Sequence, residues 1–381
     1  MMKTSSQIAY ENGQRKDSRL LFFSYLAIRD MRSGSSMEHN NNTVVFPYET
    51  KFVDHEINYK LLEDFHGEKT GFVQTGCDKW FFPSKYLQAA ENFYNFEART
   101  SDVWIATFPR SGTTWTQEMV WLICNKLNFI EARQRQLNER VPFFEFHMFM
   151  HDEMKKQFLS ENTDASAKMF IEDISKPAYD MLSSLTVNRF IKTHFPFSLL
   201  PPSIFKTGAK VIYVARNPSD VVVSYYHLNK LYRTQGYVGD LESFYNYFEK
   251  GLVPWSPYWT HLKQAWNARH LPNVLFMFYE EMNQNLPATI NKVANFLDKR
   301  LSDADVLNLC EHLSIDNFKN NPSINGAELI DVGILNSSAQ GFIRKGQVNS
   351  STDELTDSIK QRIKAWTEEN LSDTDLKFPT I

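Results

Sequence analysis

Four short apolar segments constrain this chain more than any other feature. Residues 103–108, 189–193, 210–215 and 274–279 are short runs rich in apolar, aromatic and β-branched side chains, with Arg189, Lys192 and Lys210 as their charged members, and longer amphipathic stretches separate them. A strand that is apolar on both faces belongs inside a parallel sheet covered by helices. Residues 114–125, a stretch beginning near Ser219, and residues 287–297 and 303–313 carry apolar side chains at helical spacing. The pattern predicts an α/β fold, a single domain with a central parallel sheet flanked by helices. The chain shows no internal repeat and no long low-complexity stretch within this region.

Each of the four segments ends in residues with chemistry available. The first leads into Arg110, Ser111, Thr113 and Thr114, and the second gives Lys192 and His194. The third gives Arg216, with Ser224 one helical segment later, and the fourth gives Tyr279. Ligands of open parallel sheets sit beyond the carboxyl ends of the strands, so four polar ends together point to a site. Pro109-Arg110-Ser111-Gly112-Thr113-Thr114-Trp115 sets a glycine and small hydroxyls between a strand and a helix start. Free backbone N–H groups and the positive helix end make such a turn a P-loop-like phosphate cradle. The spacing is not that of a nucleoside triphosphatase: no earlier glycine is present, and no lysine precedes the threonine pair. Taken alone, the same heptapeptide also serves as an ordinary strand-to-helix turn with threonine capping.

Two further segments suit phosphate. Arg216-Asn217-Pro218-Ser219-Asp220 starts a helix beside a guanidinium able to grip a phosphate monoester with two N–H groups. By itself it is equally a surface arginine next to a Ser219 or Asp220 cap. Phe342-Ile343-Arg344-Lys345-Gly346 pairs two cations with a permissive glycine.

Net charge excludes one class of partner. At −4 over 381 residues the chain is no general nucleic-acid binder, so any anion site is a local concentration of cations. Cys77, Cys124 and Cys310 are far apart and form no C-x-x-C pair, which disfavours a metal or disulfide framework and fits a reducing, cytoplasmic setting. No apolar run approaches the ~18 residues of a membrane span. Residues 1–45 differ in composition: Arg15, Lys16, Arg19, Arg29 and Arg32 surround a short apolar run at 20–28, followed by Ser-Gly-Ser-Ser and an Asn run. They are expected to be a flexible N-terminal extension, with residues 46–381 as the folded domain. The alternative, a targeting segment, is weakened by Ser24 and Tyr25 inside the run and by Asp17 and Asp30 beside it.

Taken together and in this order, the motifs from about Phe46 to Gly346 resemble the cytosolic sulfotransferase family, which uses 3′-phosphoadenosine 5′-phosphosulfate (PAPS). The resemblance implies that Arg110, Ser111, Gly112, Thr113 and Thr114 hold the 5′-phosphosulfate, with Trp115 against the adenine. It implies that Arg216, Ser224, Arg344, Lys345 and Gly346 hold the 3′-phosphate and that Tyr279 bonds the adenine. His194 would be the general base, and Lys192 and Arg110 would stabilise charge on the sulfuryl and leaving oxygens, with no metal. Arg140-Val141-Pro142-Phe143-Phe144-Glu145-Phe146 resembles the family's acceptor segment and implicates Phe143 and Phe146, which as aromatics are also ordinary core residues. The implied reaction is sulfuryl transfer to the hydroxyl of a small apolar phenol or alcohol. A protein that binds PAPS or its desulfated product (PAP) without much turnover, and a dehydratase acting through a transient sulfate ester, are the alternatives.

The chain departs from the family pattern in three places. Arg110 stands where the family usually has lysine. Ile315 stands where it commonly has an adenine-stacking phenylalanine, with Leu313 replacing a threonine, in a segment ending Asn321-Pro322. Residues 352–361 keep only Thr356 of the family's dimer motif, with Asp357 where valine is expected, so dimerisation of the family type is left open.

Overall fold

The computed structural model describes residues 45–344, 346, 348 and 352–379. All but the last residue of the extension expected at residues 1–45, and the phosphate-site candidate Lys345, lie outside the described residues.

The four apolar segments form one sheet. Strands β4 (Val103–Thr107), β5 (Phe190–Thr193), β6 (Lys210–Ala215) and β7 (Val274–Phe278) are ordered β5-β4-β6-β7, and all three neighbouring pairs are parallel. The chain leaves β4 to one side for β5 and returns across it for β6, so the strand order reverses between β4 and β6. That reversal opens a crevice at the carboxyl ends. Register brings the ends level: Ala106 faces Thr193 and Tyr213, and Ala215 faces Phe278. The residues that follow, Phe108, His194, Arg216 and Tyr279, therefore emerge along a single edge.

Why β4 sits at the centre is visible in its alternation. Val103 and Ile105 pack with Met119, Val120 and Ile123 of the helix Thr113–Cys124 on one face, whereas Trp104 and Ala106 pack with Phe144 and Tyr213 on the other. Successive side chains of a strand point to opposite faces, and both faces here are covered. At the far end of the sheet Arg189 clamps Asp102, with Nε donating to Oδ1 at 2.8 Å and both side chains buried. Arg189 thus precedes the strand rather than beginning it: β5 starts one residue later than expected. Tyr279 likewise leaves its strand and opens the short helix Tyr279–Gln284.

The remaining helices match their sequence patterns to within one residue: Leu286–Phe296 and Asp303–His312. The helix after β6 is Pro218–Leu231, capped by Asn217, whose side chain accepts from Ser219 N at 2.9 Å. Asn217, not Ser219 or Asp220, is the cap, because Pro218 occupies the first helical position, where its missing N–H costs nothing.

Sequence pattern gave no sign of a second sheet. Strands β1 (Thr50–Phe52), β2 (Phe72–Thr75) and β3 (Trp80–Pro83) are antiparallel in the order β1-β2-β3. They are three or four residues long, and Trp80–Pro83 is buried throughout, so it shows no alternation. This small sheet positions part of the site: Trp255 N donates to Phe81 O at 3.0 Å and Phe81 N to Ser256 O at 3.1 Å.

Candidate active site

Between β4 and the helix Thr113–Cys124 the chain turns sharply. Arg110 takes φ +68° and Gly112 φ +96°. A Cβ on Gly112 would lie 2.7 Å from Cδ2 of Tyr279, so both the backbone angle and the space demand glycine here. The helix begins at Thr113 with no side-chain cap, leaving first-turn N–H groups without an intrahelical partner. Thr113 Oγ1 pairs with Thr107 Oγ1 at 2.6 Å. Ser111 Oγ is fully buried with no hydrogen-bond partner among the described residues. Unpaired N–H groups, an orphaned hydroxyl and a glycine that leaves room fit a phosphosulfate.

Cations surround this turn. Arg110 donates from Nε to Ser224 Oγ at 2.9 Å and from Nη2 to Phe342 O at 3.0 Å, and neither partner is a carboxylate. Arg216 donates to Arg110 O at 3.1 Å, lies over the Tyr279 ring at 4.2 Å and approaches Asp220 at 3.4 Å. Burial, followed by the charges of Arg216 and Arg344, pushes the Arg110 guanidinium down to about 10. Arg344 bonds Gln340 and Glu354, and burial lowers it as well. Guanidiniums converging at the end of a sheet, one of them without an acid partner, suit a ligand with two separated phosphate groups.

At the end of β5, His194 is 6 % exposed. Its Nδ1 lies 2.8 Å from Thr107 O. A carbonyl only accepts, so Nδ1 carries the proton and Nε2 keeps its lone pair. Nε2 has no protein partner among the described residues, and His194 lines the main cavity. Its backbone N–H donates to Glu145 Oε1 at 2.6 Å, and its carbonyl accepts from His261 Nε2 at 2.9 Å. Burial and then the Lys192 charge hold the His194 pKa well below 6.5. The Lys192 ammonium stands 4.0 Å from the Phe143 ring centroid, and its pKa is pushed down to about 8, mainly by burial and against the pull of Glu145.

One cavity of about 340 Å³ joins these groups. Arg110, Gly112, Thr113, Thr114, Trp115, Arg216, Ser224, Tyr279, Arg344 and Gly346 line it, together with Lys192, His194, Phe143 and Phe146. Ser111 lies just behind the wall. Trp115 donates from Nε1 to Leu313 O at 3.0 Å and meets Tyr279 edge-on. Ile315 lines the same wall beside Phe318, so an aromatic ring stands three residues beyond the position where the motif led one to be sought. Gly346, at φ +66°, has no room for a Cβ, which would lie 2.3 Å from Ile315 Cδ1.

The motifs did not single out Glu145, Phe149, Tyr232, Gln235 or Trp255 as site residues. Phe149, Tyr232, Gln235 and Trp255 line the cavity. Trp255 stacks on Phe143 at 6.1 Å, meets His194 at 5.0 Å and donates from Nε1 to Glu145 Oε1 at 3.1 Å. It ends none of the four apolar segments, so its sequence neighbourhood offers no signal. Glu145 was visible only as the acid inside an aromatic run.

Residues 100–375 match the sulfotransferase domain family. The chain is 34 % identical over 326 residues to luciferin sulfotransferase of Photinus pyralis, covering 83 % of each. It is 31 % identical over 299 residues to sulfotransferase 1E1 of Bos taurus, covering 78 % of this chain and 92 % of that one. A crystal structure of retinol dehydratase with androsterone and the inactive cofactor PAP superposes with a TM-score of 0.82 at 36 % identity, over 88 % of this chain and 99 % of that one. The match over residues 100–375 and these relatives lead to one conclusion: the chain belongs to the PAPS-dependent sulfotransferase family.

Proposed function

We propose that this enzyme transfers the sulfuryl group to the hydroxyl of a small apolar alcohol or phenol, with His194 as general base. The carrying observation is the Nδ1 bond from His194 to Thr107 O at 2.8 Å. It leaves a basic Nε2 on the wall of an aromatic cavity, next to a buried lysine. PAPS supplies the activated sulfuryl group. Arg110, Arg216, Ser224 and Arg344 would hold its phosphates, and the Ser111–Thr114 turn its 5′ end. His194 Nε2 takes the acceptor's hydroxyl proton as the acceptor oxygen bonds to sulfur and the bond from sulfur to the 5′-phosphate oxygen breaks. Lys192 and Arg110 face the charge that builds on the oxygens, as such transfers demand.

Two similar proteins are a luciferin sulfotransferase and a retinol dehydratase, both names of small, largely apolar molecules, and Phe143, Phe146, Phe149 and Trp255 suit such a body here. The three cysteines are unpaired, which suits a reducing cytoplasm. No helix among the described residues is long and apolar enough to cross a membrane.

The retinol dehydratase likeness favours a second reading, in which an allylic alcohol is sulfated and then eliminates. Incubation with labelled PAPS and a panel of phenols, saturated alcohols and allylic alcohols tests both readings. Stable sulfate esters support transfer; an anhydro product with free sulfate supports elimination; neither a labelled ester nor an anhydro product from any acceptor would overturn both.

A further inference from the structure

Rings line one wall of the cavity in succession. His194 meets Phe143 at 5.1 Å, Phe143 meets Phe146 at 6.0 Å, and Phe146 meets Tyr232 at 6.3 Å. This wall begins at the base and ends in polar groups. Tyr232 and Gln235 both line the cavity, and neither the Tyr232 hydroxyl nor the Gln235 Nε2 has a protein hydrogen-bond partner among the described residues. Gln235 Oε1 accepts from Thr234 Oγ1 at 3.1 Å, and its Nε2 is left with donors to spare. Behind them Asn229 is 1 % exposed, donates from Nδ2 to Tyr225 O at 2.8 Å, and leaves Oδ1 without a partner.

These groups sit on fixed backbone. Tyr232 ends the helix Pro218–Leu231 and bridges Leu335, while Arg233 N donates to Ile334 O at 2.9 Å. Gln235 N donates to Tyr232 O at 3.1 Å, and its carbonyl accepts from Gly67 N at 3.0 Å. Tyr225, Leu228, Asn229 and Tyr232 recur at the spacing of one helix face. An apolar ligand alone would be served by leucine or phenylalanine at positions 229, 232 and 235. Polar groups on a rigid segment at the end of an aromatic wall are what a ligand oxygen requires.

We propose that the acceptor site has a second, polar end, in which Tyr232 and Gln235, backed by Asn229, hydrogen-bond an oxygen of the acceptor remote from the hydroxyl that is sulfated. The acceptor class is thus an elongated apolar molecule oxygenated at both ends. This inference rests on the reading that His194 and its aromatic wall bind the acceptor.

Phenols and benzyl alcohols bearing para chains of graded length test it, each chain ending in methyl, methoxy or hydroxyl. At one chain length the full-length enzyme should show a KM about three- to tenfold lower for the oxygenated ends than for methyl, the worth of one neutral hydrogen bond. In Tyr232→Phe combined with Gln235→Leu that ratio should fall to about one. A ratio near one at every length in the natural enzyme, or a preference that survives the double substitution, would show the polar groups to be a solvated rim. If the double variant loses its thermal midpoint, the single variants Tyr232→Phe and Gln235→Leu decide by the same ratio. Failure to sulfate any member of the series sinks the proposed function itself, and the polar end with it.

Discussion

Glu145 Oε1 accepts the His194 backbone N–H at 2.6 Å and the Trp255 indole N–H at 3.1 Å. One buried carboxyl therefore ties the strand end that carries His194 to the aromatic wall of the cavity. Burial pushes this carboxyl up to about 8, against the opposing pull of its hydrogen bonds and of Lys192. An unfolded glutamate near 4.5 ionises long before the folded one, so the stability contributed by Glu145 is complete below 4.5 and is lost as pH rises to about 8. In Glu145→Gln, which keeps an acceptor oxygen and removes the charge, the thermal midpoint relative to the natural protein should rise by a few degrees over that interval. A difference that stays constant with pH would mean that Glu145 is ionised throughout.

His194→Ala should lower turnover by roughly 10²–10⁴-fold, the usual worth of a general base, with PAP affinity by calorimetry little changed. Because its pKa lies well below 6.5, the imidazole is neutral through that pH. The kcat/KM profile should accordingly stay level at 6.5 and fall only on the acid side. Lys192, at about 8, loses its proton as pH rises, so an alkaline limb should appear near that value. An acid limb at or above 6.5 would contradict the buried, Thr107-bonded histidine.

Ser111→Ala separates structural from ligand-binding hydroxyls. A buried, unpaired hydroxyl costs about 1–3 kcal/mol, so its removal should leave the thermal midpoint of the free enzyme unchanged or slightly higher. PAPS and PAP, whose 5′ groups lie against this turn in the proposed complex, should bind roughly tenfold more weakly. A lowered midpoint with unaltered affinity would make Ser111 a packing residue.

How much of this was legible in the sequence depends on distance along the chain. The parallel sheet could be read because β4, β5, β6 and β7 are buried runs with matched polar ends, and burial on both faces leaves a compositional mark. Arg110, His194 and Arg216 could be singled out because each follows such a run, and Lys192 because it is the charged residue within one. Trp255 could not, since what places it is Phe81, on a strand too short to announce itself. The Asn217 cap was misplaced by two or three residues because the constraint was Pro218 rather than the hydroxyl or acid beyond it. Ile315 drew attention to a missing ring, although Phe318 supplies one on the same wall. Helical spacing moves a side chain back to the same face after three residues.

Arg110 sits nearest the chemistry among the departures from the family pattern, and its surroundings explain how arginine is used there. A lysine would place one compact charge at the turn. The guanidinium instead grips Ser224 Oγ through Nε and Phe342 O through Nη2, which joins the phosphate cradle to the segment that carries Arg344. Neither partner neutralises it, and Arg216 and Arg344 repel it, so its charge is available to a bound anion. Arg110→Ala should therefore weaken PAP binding by roughly ten- to a hundredfold, the worth of one charge-assisted hydrogen bond, and slow single-turnover transfer as well. Arg110→Lys keeps the charge but loses the planar fork. It should retain most of the single-turnover rate while releasing PAP faster, because an ammonium lacks the planar fork that spans Ser224 Oγ and Phe342 O. Rapid-quench transfer and PAP release followed separately distinguish these effects. Unchanged transfer in Arg110→Ala would leave Lys192 alone to meet the charge on the leaving oxygen.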